Sequence, residues 1–124
     1  MNNKLSIKTF NHVALQVSDV ERSADFYTRV LDLQEIPIPA FDYPVRWISL
    51  GGNRELHLIG RKEEGTSTGI RGNHFCLEVT DILQAEKHLH DLGISYQPIK
   101  LRPDGVKQLF LTDPDGHFIE LCEL

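Results

Sequence analysis

The strongest constraint on this chain is an internal repeat at half its length. Asn11-His12-Val13-Ala14-Leu15-Gln16-Val17-Ser18-Asp19 is echoed 62 residues later by Asn73-His74-Phe75-Cys76-Leu77-Glu78-Val79-Thr80-Asp81. A long repeat of this kind signals two copies of one supersecondary unit, stacked to bury a common core. With 124 residues there is room for one domain with a core, or for two small half-domains fused together.

Both copies carry the same signals in the same order. Val13, Leu15 and Val17 alternate with His12, Ala14 and Gln16, the period of a half-buried strand. Asp19 and Asp81 stand where helix N-caps belong. Behind them, Val20, Ala24, Tyr27 and Leu31 recur at helical spacing over Val20–Leu31, as do Ile82, Ala85, Leu89 and Leu92 over Ile82–Leu92, with Gly93 as a C-cap. Three strands are expected next in the first copy, near Glu35–Pro39, Val45–Leu50 and Glu55–Ile59, with Gly51-Gly52-Asn53 as a hairpin turn. In the second they fall near Ser95–Lys100, Lys107–Thr112 and Phe118–Cys122, with Asp113–Gly116 as the turn. The fold class is α+β, a βαβββ module written twice, over about 8–60 and about 73–124. Pro37 and Pro39 mark the second strand as an edge or irregular. Arg61–Gly72, polar and rich in Gly, Ser and Thr, reads as a linker or a flap.

The repeat also locates the chemistry. His12 and His74 occupy one place in the first strands. At an offset of 63, Leu56-His57-Leu58 lies over Ile119-Glu120-Leu121, so His57 and Glu120 face away from their apolar neighbours. If first and last strands adjoin and the copies meet by pseudo-twofold symmetry, the four converge. Three imidazoles and a carboxylate suit a divalent Zn, Ni, Co, Mn or Fe ion. Five- or six-coordination would leave room for water or substrate, whereas a closed tetrahedral zinc would be structural.

Other residues have plainer readings. His88 and His90 read as a solvated helix face, and His117 as exposed. Cys76 shares the face of His74 and Cys122 that of Glu120, where small reduced core residues are expected. Glu55 and Glu78 read as rim charges, and Arg46 and Arg102 as solvated. The net charge of -5 argues against nucleic acid or an anionic membrane as partner. No run approaches the length of a membrane span, and two cysteines are too few for a disulfide scaffold, so a reduced cytoplasmic protein is expected.

The chain resembles the vicinal oxygen chelate superfamily, which includes glyoxalase I, methylmalonyl-CoA epimerase, and fosfomycin-resistance, extradiol dioxygenase and bleomycin-resistance proteins. The resemblance rests on His12–Val17, Ser23-Ala-Asp-Phe-Tyr27 with Val30-Leu31, Asn73–Val79 and Leu109–Leu121. It implies a curved mixed-sheet cup around a metal, often completed in a homodimer, acting on a small oxygen-chelating substrate. Lewis-acid stabilisation of an enolate-like intermediate would be the chemistry.

The departures are informative. Glyoxalase I typically has glutamate at the place of His57, and its bacterial form has arginine at that of Gln16. The epimerase typically has glutamine at the His57 place. Fosfomycin-resistance proteins use the equivalents of His12, His74 and Glu120 alone. Extradiol dioxygenases use those three with a catalytic histidine near His57, and a tyrosine where this chain has Phe110. The resemblance thus implies a metal held by His12, His57, His74 and Glu120, with Glu120 and His57 as the catalytic candidates and a lyase or isomerase as the leading activity. His57 is either the fourth ligand or an acid-base group beside three. Ring cleavage, thiol transfer and non-catalytic sequestration of a ligand stand as alternatives.

Overall fold

The computed structural model describes residues 5–60 and 69–124, so most of the predicted linker or flap lies outside the described residues. The order is β1 (His12–Gln16), α1 (Val20–Asp25), a π-helical segment (Phe26–Val30), β2 (Gln34–Ile36), β3 (Val45–Gly51) and β4 (Arg54–Ile59). It repeats as β5 (His74–Glu78), α2 (Ile82–Asp91), β6 (Lys100–Leu101), β7 (Lys107–Thr112) and β8 (Phe118–Glu123). The strands form two four-stranded sheets of identical topology, β1-β4-β3-β2 and β5-β8-β7-β6. First and last strands of each module pair in parallel, and the other pairs are antiparallel. The α+β reading with two βαβββ modules is borne out.

Local chemistry explains the boundaries. Asp19 caps α1 by accepting from Glu21 N and Arg22 N at 3.0 and 3.2 Å, and Asp81 caps α2 by accepting from Gln84 N at 3.2 Å. Gly93, at φ +71, donates to His90 O and closes α2. Gly52 and Asn53 both have positive φ, as a two-residue hairpin between right-twisted strands requires.

Three elements differ from expectation. The first helix is α-helical only to Asp25. The wider π turn that follows buries Phe26, Tyr27 and Val30 together. Strand β2 stops at Ile36, because Pro37 and Pro39 cannot donate to a ladder. The strand expected at Ser95–Lys100 shrinks to Lys100–Leu101 plus an isolated bridge from Tyr96 to Leu111.

One core joins the modules, drawing Val17, Tyr27, Ile48, Leu56 and Leu58 from the first and Ile82, Leu89, Leu109, Ile119 and Leu121 from the second. Burying such a side chain contributes roughly 1.5–3 kcal/mol. A polar joint reinforces it. Tyr27 Oη–H donates to buried Asp113 at 2.8 Å, whose other oxygen accepts from the Asp115 and His117 amides. Burial, then Asp113, holds the Tyr27 pKa well above its ordinary value. The Asp115 carboxylate accepts from Ser18 N, and His117 Nε2–H donates to Gln16 O at 2.9 Å. His117 is therefore half-buried in the joint, contrary to its exposed reading. His88 and His90 are both exposed, as the solvated reading expects, and His88 Nε2–H also donates to Val30 O at 2.8 Å across the modules.

Candidate metal centre

Alternation and register together set the candidate face of each sheet. In module 1, Ala14 lies beside His57 across the β1–β4 ladder, and His12 is beside Glu55. In module 2, Cys76 lies beside Glu120 and His74 beside Phe118. The opposite faces carry Leu56, Leu58, Ile119 and Leu121 into the core, which locks the register, since a one-residue slip would exchange the faces.

The four predicted residues come together two and two. His12 and His57 stack at 4.1 Å between ring centroids, and His57 stacks on its other side on Trp47, also at 4.1 Å. His74 Nε2 lies 2.9 Å from Glu120 Oε1, with Phe110 edge-on to the imidazole at 5.0 Å. Among the described residues, no hydrogen bond, ion pair or ring contact joins one pair to the other.

Each histidine has one ring nitrogen tied to an oxygen outside the pair. His12 Nδ1–H donates to Asn11 Oδ1 at 2.7 Å, and His74 Nδ1–H to the Arg71 carbonyl at 2.7 Å. His57 Nε2–H donates to Glu55 Oε1 at 2.9 Å, so Glu55 is a partner of the site rather than a rim charge. These bonds orient each ring and leave Nε2 of His12 and Nδ1 of His57 as lone-pair nitrogens, while His74 Nε2 shares a proton with Glu120 Oε1 that an ion would replace.

Glu120 is buried, 6% exposed, and its Oε2 has no hydrogen-bond partner. A carboxylate in that state is costly unless a cation or proton satisfies it. A carboxylate oxygen of Glu120 and the Sγ atoms of Cys76 and Cys122 all lie within 4.8 Å of one another, the one such cluster among the described residues. Partial burial first, then Cys122 and Glu120, push the Cys76 thiol above its ordinary range.

The arginines expected to be solvated are engaged in local pairs. Arg46 holds Glu35 through two nitrogens, and Arg102 holds Asp104 at 2.7 and 2.9 Å. A groove of about 840 Å³ lined by Val13, Leu33, Phe75 and Leu89 contains none of the four predicted ligands and is chiefly apolar. Cys76 also lines that groove, and a smaller hollow of about 390 Å³ is lined by His74, Asn73 and His117. Trp47 and Asn11 were not singled out from sequence. Carrying the 63-residue offset into the third strand would have found Trp47, because it lies over Phe110.

Known proteins agree with this architecture. The chain is 30% identical to a lactoylglutathione lyase of Pseudomonas putida, over 92% of this chain and 84% of that protein. It is 31% identical to the metallothiol transferase FosB of Bacillus licheniformis, over 97% and 77%. A crystal structure of a glyoxalase family protein from Bacillus anthracis superposes with a TM-score of 0.82 at 26% identity, covering 97% of this chain and 98% of that one. A lyase and a transferase stand at nearly equal identity, so overall similarity names the family and leaves the reaction to the site. With a family model matching residues 9–121, the chain belongs to the Glyoxalase/Bleomycin resistance protein/Dioxygenase superfamily.

Proposed function

We propose that the protein is a metal-dependent enzyme of the glyoxalase type, a lyase or isomerase acting on a small substrate that chelates through two oxygens. The observation that carries this reading is the outer hydrogen bond on each of His12, His57 and His74. Metal-binding histidines almost always donate their second ring N–H to an oxygen in this way. The unpartnered, buried Oε2 of Glu120 adds an anionic donor that lacks a cation. His12, His57, His74 and Glu120 would hold the ion. A divalent ion there supplies Lewis-acid polarisation of the substrate oxygens.

The pairs lie on separate sheets, and His12 is exposed. We therefore place the complete centre between two copies of the chain, the His12–His57 pair of one facing the His74–Glu120 pair of the other. Within it, Glu120 is the one carboxylate among the ligands, and it moves the proton between neighbouring carbons. Glu55 holds the His57 ring in place. Trp47 and Phe110 supply the apolar walls that exclude water around the proton transfer. Phe110 has no hydroxyl to donate to a catechol oxygen, which disfavours ring cleavage. Both cysteines are free thiols, in keeping with a reducing, cytoplasmic setting. Among the described residues, no helix is long and apolar enough to cross a membrane.

One observation favours a second reading. The His12 and His57 rings stack nearly parallel, 15° apart at 4.1 Å, so their in-plane lone pairs do not converge on one point. Were His57 to stay outside the ion's shell, His12, His74 and Glu120 would remain, the set implied for fosfomycin-type thiol transfer.

Elemental analysis after metal-replete expression tests the metal, and hemithioacetal isomerisation with Ni, Co or Zn tests the reaction. Metal-free protein that takes up no ion on titration would sink the enzyme reading. Metal uptake with thiol addition to an epoxide, but no isomerisation, would select the transferase.

A further inference from the structure

The chain's only two cysteines sit in module 2, at the places that Ala14 and Ile59 fill in module 1. Both flank Glu120. Cys76 is its direct neighbour across the β5–β8 ladder, and Cys122 follows two residues along β8 on the same face. Cys122 is buried at 6% exposure, like Glu120, while Cys76 is exposed and opens the cluster to solvent. The three donor atoms converge within 4.8 Å, and Glu120 Oε2 has no hydrogen-bond partner.

From this juxtaposition we infer a second metal site: Cys76, Cys122 and Glu120 bind a thiophilic divalent ion such as Zn, Cd or Co within a single chain. Metal–sulfur bonds of about 2.3 Å and metal–oxygen bonds of about 2.0–2.2 Å put tetrahedral donors roughly 3.5–3.8 Å apart. The observed spacing therefore needs a contraction of no more than about 1.3 Å. Binding expels the two thiol protons to solvent, giving two thiolates and a carboxylate, and leaves a fourth position for water or an incoming thiol. The two sites share Glu120, so an ion held by the thiolates draws that carboxylate away from the imidazole-rich centre proposed above, and the thiolates favour softer ions than the imidazoles do. The thiol site needs no second copy of the chain and nothing from module 1.

Cobalt(II) titration of the reduced protein tests this, because thiolate ligation adds an intense near-ultraviolet charge-transfer band that imidazole and carboxylate ligands lack. The band is expected in the wild type, weaker in Cys76→Ser, absent in the Cys76→Ser/Cys122→Ser double variant, and unchanged in His12→Ala. Zinc should also slow reaction of the native thiols with a disulfide reagent by at least tenfold, a readout that requires no variant to fold. Cobalt bound without the band, a band surviving loss of both thiols, or thiols indifferent to zinc would overturn the site. Loss of the band on His12→Ala would show that the thiols belong to the shared centre instead. Failure of the centre between two copies would read differently: the band would persist while Mn(II) binding ignored His12→Ala.

Discussion

The two modules share one topology but differ in the chemistry of one face. Module 1 surrounds its candidate ligands with flat rings, His57 lying between His12 and Trp47, and contributes no carboxylate of its own to the set. Module 2 places a buried carboxylate between an imidazole and two thiols. Duplication thus kept the backbone and the two ligand positions while their surroundings diverged. In the proposed centre the modules divide the labour: module 1 would offer rigid neutral donors and an apolar wall, and module 2 the negative charge. The joint between them is also one-sided, for Asp113, Asp115 and His117 of the module 2 turn reach into module 1.

The largest effect should come from removing the charge. Glu120→Gln is expected to lower kcat/KM by roughly 100- to 10,000-fold, the usual worth of a placed acid or base. His57→Glu, which gives module 1 a carboxylate at the matching position, should keep turnover within about tenfold of the wild type in the same steady-state assay. Equal losses in both would show that the modules are not divided in this way. Next comes the support of the rings. Asn11→Ala removes the oxygen holding His12 Nδ1 and should weaken metal affinity about 10- to 100-fold by calorimetry. No change would mean that His12 is not oriented for an ion.

Smaller effects test the joint. Tyr27→Phe leaves a buried oxygen of Asp113 without its donor and should cost about 1–3 kcal/mol in urea unfolding. Glu35→Gln, which breaks the partly exposed pair with Arg46, should cost no more than about 1 kcal/mol in the same experiment. If the two costs proved equal, the joint would have no special role in holding the modules together.

Much of this was legible in the sequence because a repeat reports twice. The offset matched strands to strands, and strand alternation put His12, His57, His74 and Glu120 on the faces away from the core. Less legible was what tertiary contact decides. The π segment arises where Phe26, Tyr27 and Val30 must all turn inward, and helical spacing cannot show that. His117 looked exposed because its acceptor, Gln16 O, lies in the other module, 101 residues away, and the bond from exposed His88 to Val30 O was hidden for the same reason. Glu55 looked like a rim charge because its bond to His57 depends on side-chain direction along β4.

If the two pairs share one ion, Mn(II) binding followed by electron paramagnetic resonance should show it, since manganese prefers oxygen donors to thiolates. The wild type should bind one Mn(II) per chain. His12→Ala in module 1 and His74→Ala in module 2 should each weaken binding by more than about 100-fold, beyond the loss expected from an outer partner. Mn(II) binding that His74→Ala abolishes and His12→Ala leaves intact would contradict the account, because the ion would then belong to module 2 alone.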